Sequence, residues 1–445
     1  MNNDDRSTGV KIEQDLSDRK LIRILYVPPY YECHVDLAIN RLVLSNSSIE
    51  YRIFTIDEKY LIYDEYGLLN LNQILIMCRE LINEHKIQCV LCDKQLGQLI
   101  VSKLINEYPQ LIGMSFQLTL KCLNKYLMIN LIENIDECVP TLFVDSTIDR
   151  SINFCTIKNF LIIKNVGFVK PLFSLDKLSS FKFHSWETYE NMINKYELFY
   201  QRHYQRDTLS LFRTYISPKQ YPHLFKPGYI IQPYYDLLTY PYWRHIIASA
   251  CVFDNDVIMW PLTDGSCGWP FLAEKPLGIL SILVCPSQQI SLKQQELIYV
   301  KFRQHIQKLH QFHYGWIQAE YFISCDDTIH LISIQPNYSV YLCQAYNYVC
   351  QFGDPITCIV NLSLKKRPKL PILNGKIVYI NRLWTNACGQ YTKDLINFHE
   401  YKRLKRLGLQ ESKYILLRLK ENDQISNESD EMNDSDGMME LGLIQ

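Results

Sequence analysis

A predicted β-hairpin over residues 316–337 carries the side chains best suited to chemistry. Two runs rich in β-forming residues flank the polar turn 325–328, an arrangement typical of antiparallel pairing. The predicted pairs are 318/335, 320/333, 322/331 and 324/329. Because successive side chains of a strand alternate between its faces, Glu320 is predicted to lie opposite Ser333 and beside Gln335. Such a cluster of oxygen atoms could bind a hard cation.

The two faces of this hairpin differ in composition. One is predicted to face the core and carries Ala319, Tyr321, Ile323, His330, Ile332 and Ile334. The polar face has two interpretations, a ligand cluster or a surface that meets water, since antiparallel hairpins are often solvated on one side. The residues of the hairpin alone leave both open.

A second candidate is Lys170, which ends the apolar segment 167–170 directly before Pro171. A lysine at such a strand edge needs a partner that satisfies its charge, because burying an unpaired ammonium group is costly. The sequence therefore predicts that Lys170 is not an ordinary surface lysine.

The N-terminal part of the chain alternates strands and helices. Buried or alternating strands are predicted near 21–27, 51–56 and 88–92, and helices over 33–44, 71–85 and 95–108. This alternation predicts an open, mainly parallel α/β sheet. No G-x-G-x-x-G follows any of these strands, so a dinucleotide-binding fold is not supported.

Five motifs occur in an order that resembles ATP-grasp domains of the biotin carboxylase and carbamoyl-phosphate synthetase branch. They are Asn124-Lys-Tyr126, Phe168-Val-Lys-Pro171, the hinge-like Gln232-Pro-Tyr-Tyr235, Glu320, and Ile332-Ser-Ile-Gln-Pro-Asn337. The resemblance spans roughly residues 21–365. It implies an ATP-dependent ligase that activates a carboxylate as an acyl phosphate for attack by an amine or similar nucleophile.

The resemblance also assigns site residues and cofactors. It implies ATP held by Lys125, Lys170, Ser179, Ser180, Gln232, Pro233 and Tyr235, and Mg²⁺ held weakly by Glu320 and Gln335. Judged from its own segment, Lys125 is instead predicted to be a solvated helix lysine. The implied partners are ATP and an unidentified small carboxylate.

The implied fold is α+β, with an N-terminal open parallel α/β domain followed by a two-subdomain ATP-grasp fold with antiparallel sheets. The predicted divisions are a mobile tail at 1–20, an α/β domain at 21–115, an ATP-grasp domain at 116–365 with its lid near 160–230, a cap at 366–420 and a disordered acidic tail at 421–445.

Three working residues of the motif are changed here. Ser333 and Gln335 stand where the family has Glu and Asn as metal ligands, and Asn337 stands where it has an Arg that steadies the substrate. A full charge about 4 Å from the ion is worth roughly 4 kcal/mol at an effective dielectric near 20, so losing one carboxylate weakens the metal site. Two hypotheses follow: a ligase with relaxed metal ligation, or a catalytically impaired homologue that serves as a nucleotide-binding or regulatory module.

Composition adds expectations about location and partners. Residues 421–445 hold eight acids and no Lys or Arg, so removing them changes the formal charge from −1 to +7. The tail could bind a protein partner. Fifteen cysteines without a signal-like N-terminus predict free thiols in a reducing, cytoplasmic setting. No run is apolar enough for a membrane helix.

The sequence offers three further interpretations, two metal sites and a nucleic-acid surface, that its residue spacing does not support. Cys89 and Cys92 have a metal-like spacing but lack a second pair, and they lie in an apolar run typical of a buried strand. A zinc site is a second interpretation of His305, His310 and His313, near the end of the predicted helix 287–312. No nearby Cys or acid spacing supports it, and these histidines are predicted to be solvated. Basic clusters near 365–369 and 402–406 do not by themselves indicate nucleic-acid binding.

Overall fold

The computed structural model describes most of the chain between Lys20 and Ile444. The described residues are 20–28, 32–45, 49–62, 70–132, 138–146, 148, 150–160, 167–172, 181–194, 217, 219, 228–234, 243–265, 282–310, 312–351, 354–385, 415–417 and 439–444. Within them, no helix is long and apolar enough to cross a bilayer.

The N-terminal sheet is parallel, as predicted. Its strands are β1 (Lys20–Tyr26), β2 (Ile49–Phe54) and β3 (Cys89–Leu91), in the order β2-β1-β3. The helices between and after them are α1 (Glu32–Ser45), α2 (Leu71–His85) and α3 (Gln95–Glu107). β1 is buried on both faces, with Ile24 and Leu25 in different core clusters. That two-sided burial explains its nearly continuous apolar sequence.

A second, smaller sheet is antiparallel. It contains β4 (Leu142–Asp145), β5 (Gly167–Pro171), β6 (Phe181–Phe183) and β7 (Gly228–Pro233), in the order β4-β7-β5-β6. Two short helices, α4 (Phe116–Leu123) and α5 (Lys125–Ile132), precede it, and α6 (Arg150–Phe160) follows β4. One face of this sheet packs Val169 and Ile231 into an apolar cluster, and the opposite face carries Lys170.

Within the part of the chain that the structure describes, the third sheet has nine strands. They are β8 (Arg244–Phe253), β9 (Asp256–Met259), β10 (Thr263–Asp264), β11 (Ile282–Cys285), β12 (Tyr314–Ile323), β13 (Ile329–Gln335), β14 (Val378–Thr385), β15 (Ile415–Leu417) and β16 (Met439–Ile444). Their order is β13-β12-β8-β10-β11-β14-β16-β15, with β9 paired to β8. These neighbouring strands pair in antiparallel fashion.

Helices cover both faces of the large sheet. α7 (Leu292–Lys308) packs Phe302 against Ala248 and Ile317 on one face. On the other face, α8 (Val340–Val349) and α9 (Pro355–Ser363) join the sheet to the N-terminal sheet in a single core. Antiparallel sheets behind a parallel α/β unit confirm the predicted fold class.

The strand β16 lies in the segment 421–445 that the sequence predicts to be a disordered tail. Residues 439–444 are instead paired with β14 and β15, so the prediction is wrong for them. The physical reason is the position of the acids: seven of the eight lie at 421–436, and residues 437–445 are mostly apolar apart from Glu440.

The prediction for the histidines of α7 is also wrong at one position. His305 is 1% exposed, and its Nδ1 lies 2.9 Å from the Tyr321 hydroxyl. The two rings are stacked. His305 therefore lies in the core beneath β12, where a hydrogen bond satisfies its ring nitrogen, whereas His310 and His313 are exposed.

Candidate active site

The predicted hairpin is formed by β12 and β13, and its register is correct where it matters most. Glu320 pairs with Ser333, as predicted. The remaining pairs toward the turn are shifted: 321 pairs with 331, 322 with 330 and 323 with 329. The predicted pairing of 322 with 331 and of 324 with 329 is therefore wrong.

Two local features produce this shift. The turn closes with the Ser324 amide donating to the Thr328 carbonyl at 2.9 Å, around a loop whose last residue, Asp327, has φ 65°. A β-bulge then leaves Ile332 as an extra residue on β13. The bulge restores the predicted register beyond it, and Leu331 joins the core in place of Ile332.

The side chains beside Glu320 on the hairpin, Ser333 and Gln335, carry no charge. Both oxygens of the Glu320 carboxylate accept hydrogen bonds. Gln335 Nε2 donates to Oε1 at 2.9 Å, and His245 Nε2 donates to Oε2 at 3.1 Å. Burial by itself would raise the pKa of Glu320, but the bond from His245 and the charge of Lys170 hold that pKa below its ordinary value.

The sequence assigned no role to His245. It lies at the start of β8, where Ile247 pairs with Glu320, so His245 is two residues along on the same face. Its side chain is 9% exposed and its ring contacts Phe322. The signal that could have revealed it is alternation along β8, but this requires knowing that β8 pairs with β12.

Lys170 projects from β5 on the face opposite the apolar cluster of Val169. Its ammonium group lies 5.1 Å from the centre of the Phe168 ring. Burial lowers the pKa of Lys170 to about 8, although the nearby charge of Glu320 acts in the opposite direction. The side chain is thus desolvated yet electrostatically coupled to the hairpin.

Lys125 reaches the same place from the start of α5. Its backbone amide donates to the Leu172 carbonyl at 2.9 Å, and its Nζ donates to the Pro171 carbonyl at 3.1 Å. Burial, followed by repulsion from Lys170, lowers the pKa of Lys125 to about 7, and Glu320 opposes that shift. The interpretation of Lys125 as a solvated helix lysine is therefore wrong.

Asn124 orients Lys125 by capping α5. Its Oδ1 accepts from the amides of Tyr126 at 3.1 Å and Leu127 at 3.0 Å, and the residue is fully buried. Because an N-cap contributes about 0.5–2 kcal/mol, we expect Asn124→Ala to lower the free energy of unfolding by roughly that amount in urea titrations. Asn124→Ser, which keeps a capping oxygen, is the control and should lose less. Equal losses for both would contradict the capping role.

The hinge-like residues lie on β7 beside β5. Gln232 pairs with Phe168, which places it on the same face of the small sheet as Lys170. Its amide is buried and donates to Thr141 Oγ1 at 2.8 Å. Pro233 is the last residue of β7. The remaining predicted contacts, Ser179, Ser180 and Tyr235, lie outside the described residues.

The residues around Glu320 do not fit a Mg²⁺ ion as they stand. Mg²⁺ requires near-octahedral oxygen ligands, whereas both Glu320 oxygens are taken by N–H donors and Ser333 replaces the second carboxylate. Among the described residues, no group of three or more His, Cys, Asp or Glu could hold a metal ion. Gln335, the second predicted ligand, turns its amide nitrogen toward Glu320 and is already hydrogen-bonded to it.

The arrangement as a whole is suited to anions. Two desolvated lysines with like charge lie close enough to lower the pKa of one of them. Holding like charges together is unfavourable unless a ligand of opposite charge compensates, and perturbed pKa values of this kind are typical of functional sites. A ligand with several negative charges, such as a polyphosphate, would meet both lysines.

Solved structures similar to this chain share one architecture. An L-amino acid ligase from Bacillus licheniformis matches with a TM-score of 0.62 at 10% identity, covering 96% of this chain and 93% of that one. A carboxyaminoimidazole ribonucleotide synthase from Aspergillus clavatus, complexed with ATP, matches with a TM-score of 0.60 at 10% identity, covering 95% and 93%.

A third similar structure is biotin carboxylase from Campylobacter jejuni in a complex with β,γ-ATP. It matches with a TM-score of 0.59 at 10% identity, covering 95% of this chain and 86% of that one. No protein-family model and no curated protein sequence matches the chain. At this level of identity, the similarity confirms the predicted ATP-grasp fold.

Proposed function

We propose that this chain, which has the ATP-grasp fold, binds ATP between its small and large antiparallel sheets and uses it to activate a carboxylate. The observation that carries the proposal is that the charges of Lys125, Lys170 and Glu320, which come from three separate elements of the chain, act on one another. Solved structures of the same fold include an L-amino acid ligase and synthases in complex with ATP or ADP.

The two lysines are assigned to the phosphates. Each ammonium group can donate charge-assisted hydrogen bonds to phosphate oxygens, and a desolvated position strengthens such bonds. The hinge residues Gln232, Pro233 and Tyr235 are assigned to the adenine edge. Because the Gln232 amide donates to Thr141, its contribution to adenine would come from its backbone. Ser179 and Ser180 are assigned to a loop over the phosphates.

The proposed reaction requires little covalent work from the protein. A carboxylate oxygen attacks the γ-phosphorus, the bond to the β,γ-bridging oxygen breaks, and ADP leaves. An amine or similar nucleophile then attacks the acyl carbon and releases inorganic phosphate. Lys125 and Lys170 hold the phosphates and neutralise the charge that moves through them, which is the main catalytic contribution in phosphoryl transfer.

Trapping of the acyl phosphate tests this function. Hydroxylamine is supplied with ATP and a panel of amino acids and other small carboxylates, and hydroxamate and ADP are measured together. We expect the two products in equal amounts with one class of carboxylate, and neither with Lys170→Met. The exposed lysine of α6, Lys158, provides the matched control, since Lys158→Met should leave both products unchanged.

The result also separates the ligase from the nucleotide-binding module. Nucleotide binding without ADP release on any carboxylate would contradict the ligase proposal and leave a binding or regulatory role. No nucleotide binding at all would contradict both.

A further inference from the structure

Glu320 uses both carboxylate oxygens to accept hydrogen bonds from other side chains, which makes it a poor metal ligand. Its two oxygens face Gln335 Nε2 and His245 Nε2 at 2.9 and 3.1 Å. An ionised carboxylate can only accept hydrogen bonds, so both neighbours turn their N–H hydrogens toward it. These donors occupy lone pairs of the carboxylate that a bound cation would otherwise use.

The neighbours of Glu320 supply no substitute ligand. Ser333, directly opposite, has a neutral hydroxyl in place of a second acid. Gln335 also lies within 3.5 Å of Ser333 Oγ through the same Nε2 atom. His245 is held between Glu320 and the Phe322 ring. These four side chains form a closed cluster, which we call the Glu320 cluster.

Positive charge is available nearby without a metal. Lys125 and Lys170 both act electrostatically on this region, and Lys170 is among the groups that keep Glu320 ionised. A polyphosphate between the lysines and the hairpin would therefore find its counter-charges on the protein.

From these contacts we infer that the site binds ATP without a divalent cation. This inference rests on the proposed nucleotide site. In it, Glu320 is a positioning residue: its carboxylate holds His245 and Gln335 in place. Its negative charge, only partly offset by Lys170, repels the nearby phosphates. The ligand is the metal-free nucleotide, with its phosphates neutralised by the two lysines.

Calorimetric titration with ATP distinguishes this site from a metal-dependent one. In the presence of a chelator we expect binding, and adding excess Mg²⁺ should not tighten it by more than about twofold. At pH 6.5, Glu320→Gln should strengthen metal-free binding by about threefold or more, because a like charge near the phosphates is removed. A metal ligand would behave in the opposite way, since Glu320→Gln would weaken Mg²⁺–ATP binding by about tenfold or more.

A gain-of-function variant provides an independent test. Ser333→Glu places a second carboxylate directly opposite Glu320, and we expect it to make ATP binding Mg²⁺-dependent where the unmodified chain is not. Thermal unfolding of both variants shows whether each is folded, and Glu320→Gln, which keeps the size of the side chain, decides the question if Ser333→Glu does not fold.

The outcomes separate the inference from the proposed function. Binding that occurs only with Mg²⁺, or that Glu320→Gln weakens, would overturn the inference and leave the nucleotide site intact. Absence of ATP binding with and without Mg²⁺ would overturn the nucleotide site itself.

Discussion

Lys170→Met is expected to abolish tight nucleotide binding and at the same time to stabilise the fold. A lysine held by phosphate oxygens contributes about 1.5–3 kcal/mol, so its loss should weaken ATP binding by about 10- to 100-fold. In the free protein the same charge is unfavourable, because burial lowers the pKa of Lys170 from 10.5 to about 8. Methionine keeps the apolar stem and removes the charge.

The stabilising effect follows from linkage. A lysine whose folded pKa lies below its unfolded pKa destabilises the fold while it is charged, and this penalty is largest below pH 8. Discounted for partial exposure, its removal should raise the free energy of unfolding by up to about 2 kcal/mol near pH 7.

Two measurements check this prediction. Isothermal titration gives the affinity for ATP, and urea unfolding gives the stability of the free protein at the same pH. Lys158→Met on α6 is the control and should change neither, because Lys158 is exposed on a different element. A variant of Lys170 that lost stability and kept its affinity would show that Lys170 is a structural residue.

ATP binding is expected to weaken as the pH rises from 6.5 to 9. The pKa is about 7 for Lys125 and about 8 for Lys170, so both ammonium groups lose their protons across this range. Phosphates favour the charged form, and binding above pH 7 must therefore be accompanied by proton uptake.

The stability of the free protein should change in the opposite direction. Below pH 7 both lysines are charged in the folded and unfolded states, and the penalty of desolvation is fully present. Between pH 7 and the unfolded value of 10.5 the folded state holds fewer protons, so the contribution of these lysines to stability rises with pH.

Titration of ATP in two buffers with different ionisation enthalpies measures the proton uptake directly. We expect about one proton or more per ATP at pH 8, and less in Lys170→Met. A binding constant independent of pH, with no uptake, would contradict the assignment of these lysines to the phosphates.

Local patterns predicted much of this fold correctly. The helix α2 occupies Leu71–His85, the predicted range, because its apolar residues recur at helical spacing and Asn70 caps its start. The parallel sheet was predicted because strands alternate with helices, and the antiparallel pair β12–β13 because two β-rich runs flank a polar turn. These signals depend on residues that are near one another in sequence.

Contacts between distant residues could not be predicted in the same way. His245 is hydrogen-bonded to Glu320, 75 residues away in the sequence. No residue spacing within either strand predicts that β8 pairs with β12. The core position of His305 depends on Tyr321. Lys125 was ambiguous by itself, because only the end of β5 reveals that its ammonium group is held over the small sheet.

The extra residue Ile332 has a consequence for how this hairpin can vary. Strands normally cannot gain or lose one residue, because every side chain beyond the change would turn to the opposite face. Here pairs on both sides of Ile332 are already in regular register, 320 with 333 and 321 with 331. Deleting Ile332 alone would therefore leave Glu320, Ser333 and Leu331 on their present faces of the sheet. Ile332 is thus the position of β13 at which the strand can lose one residue without turning its other side chains over.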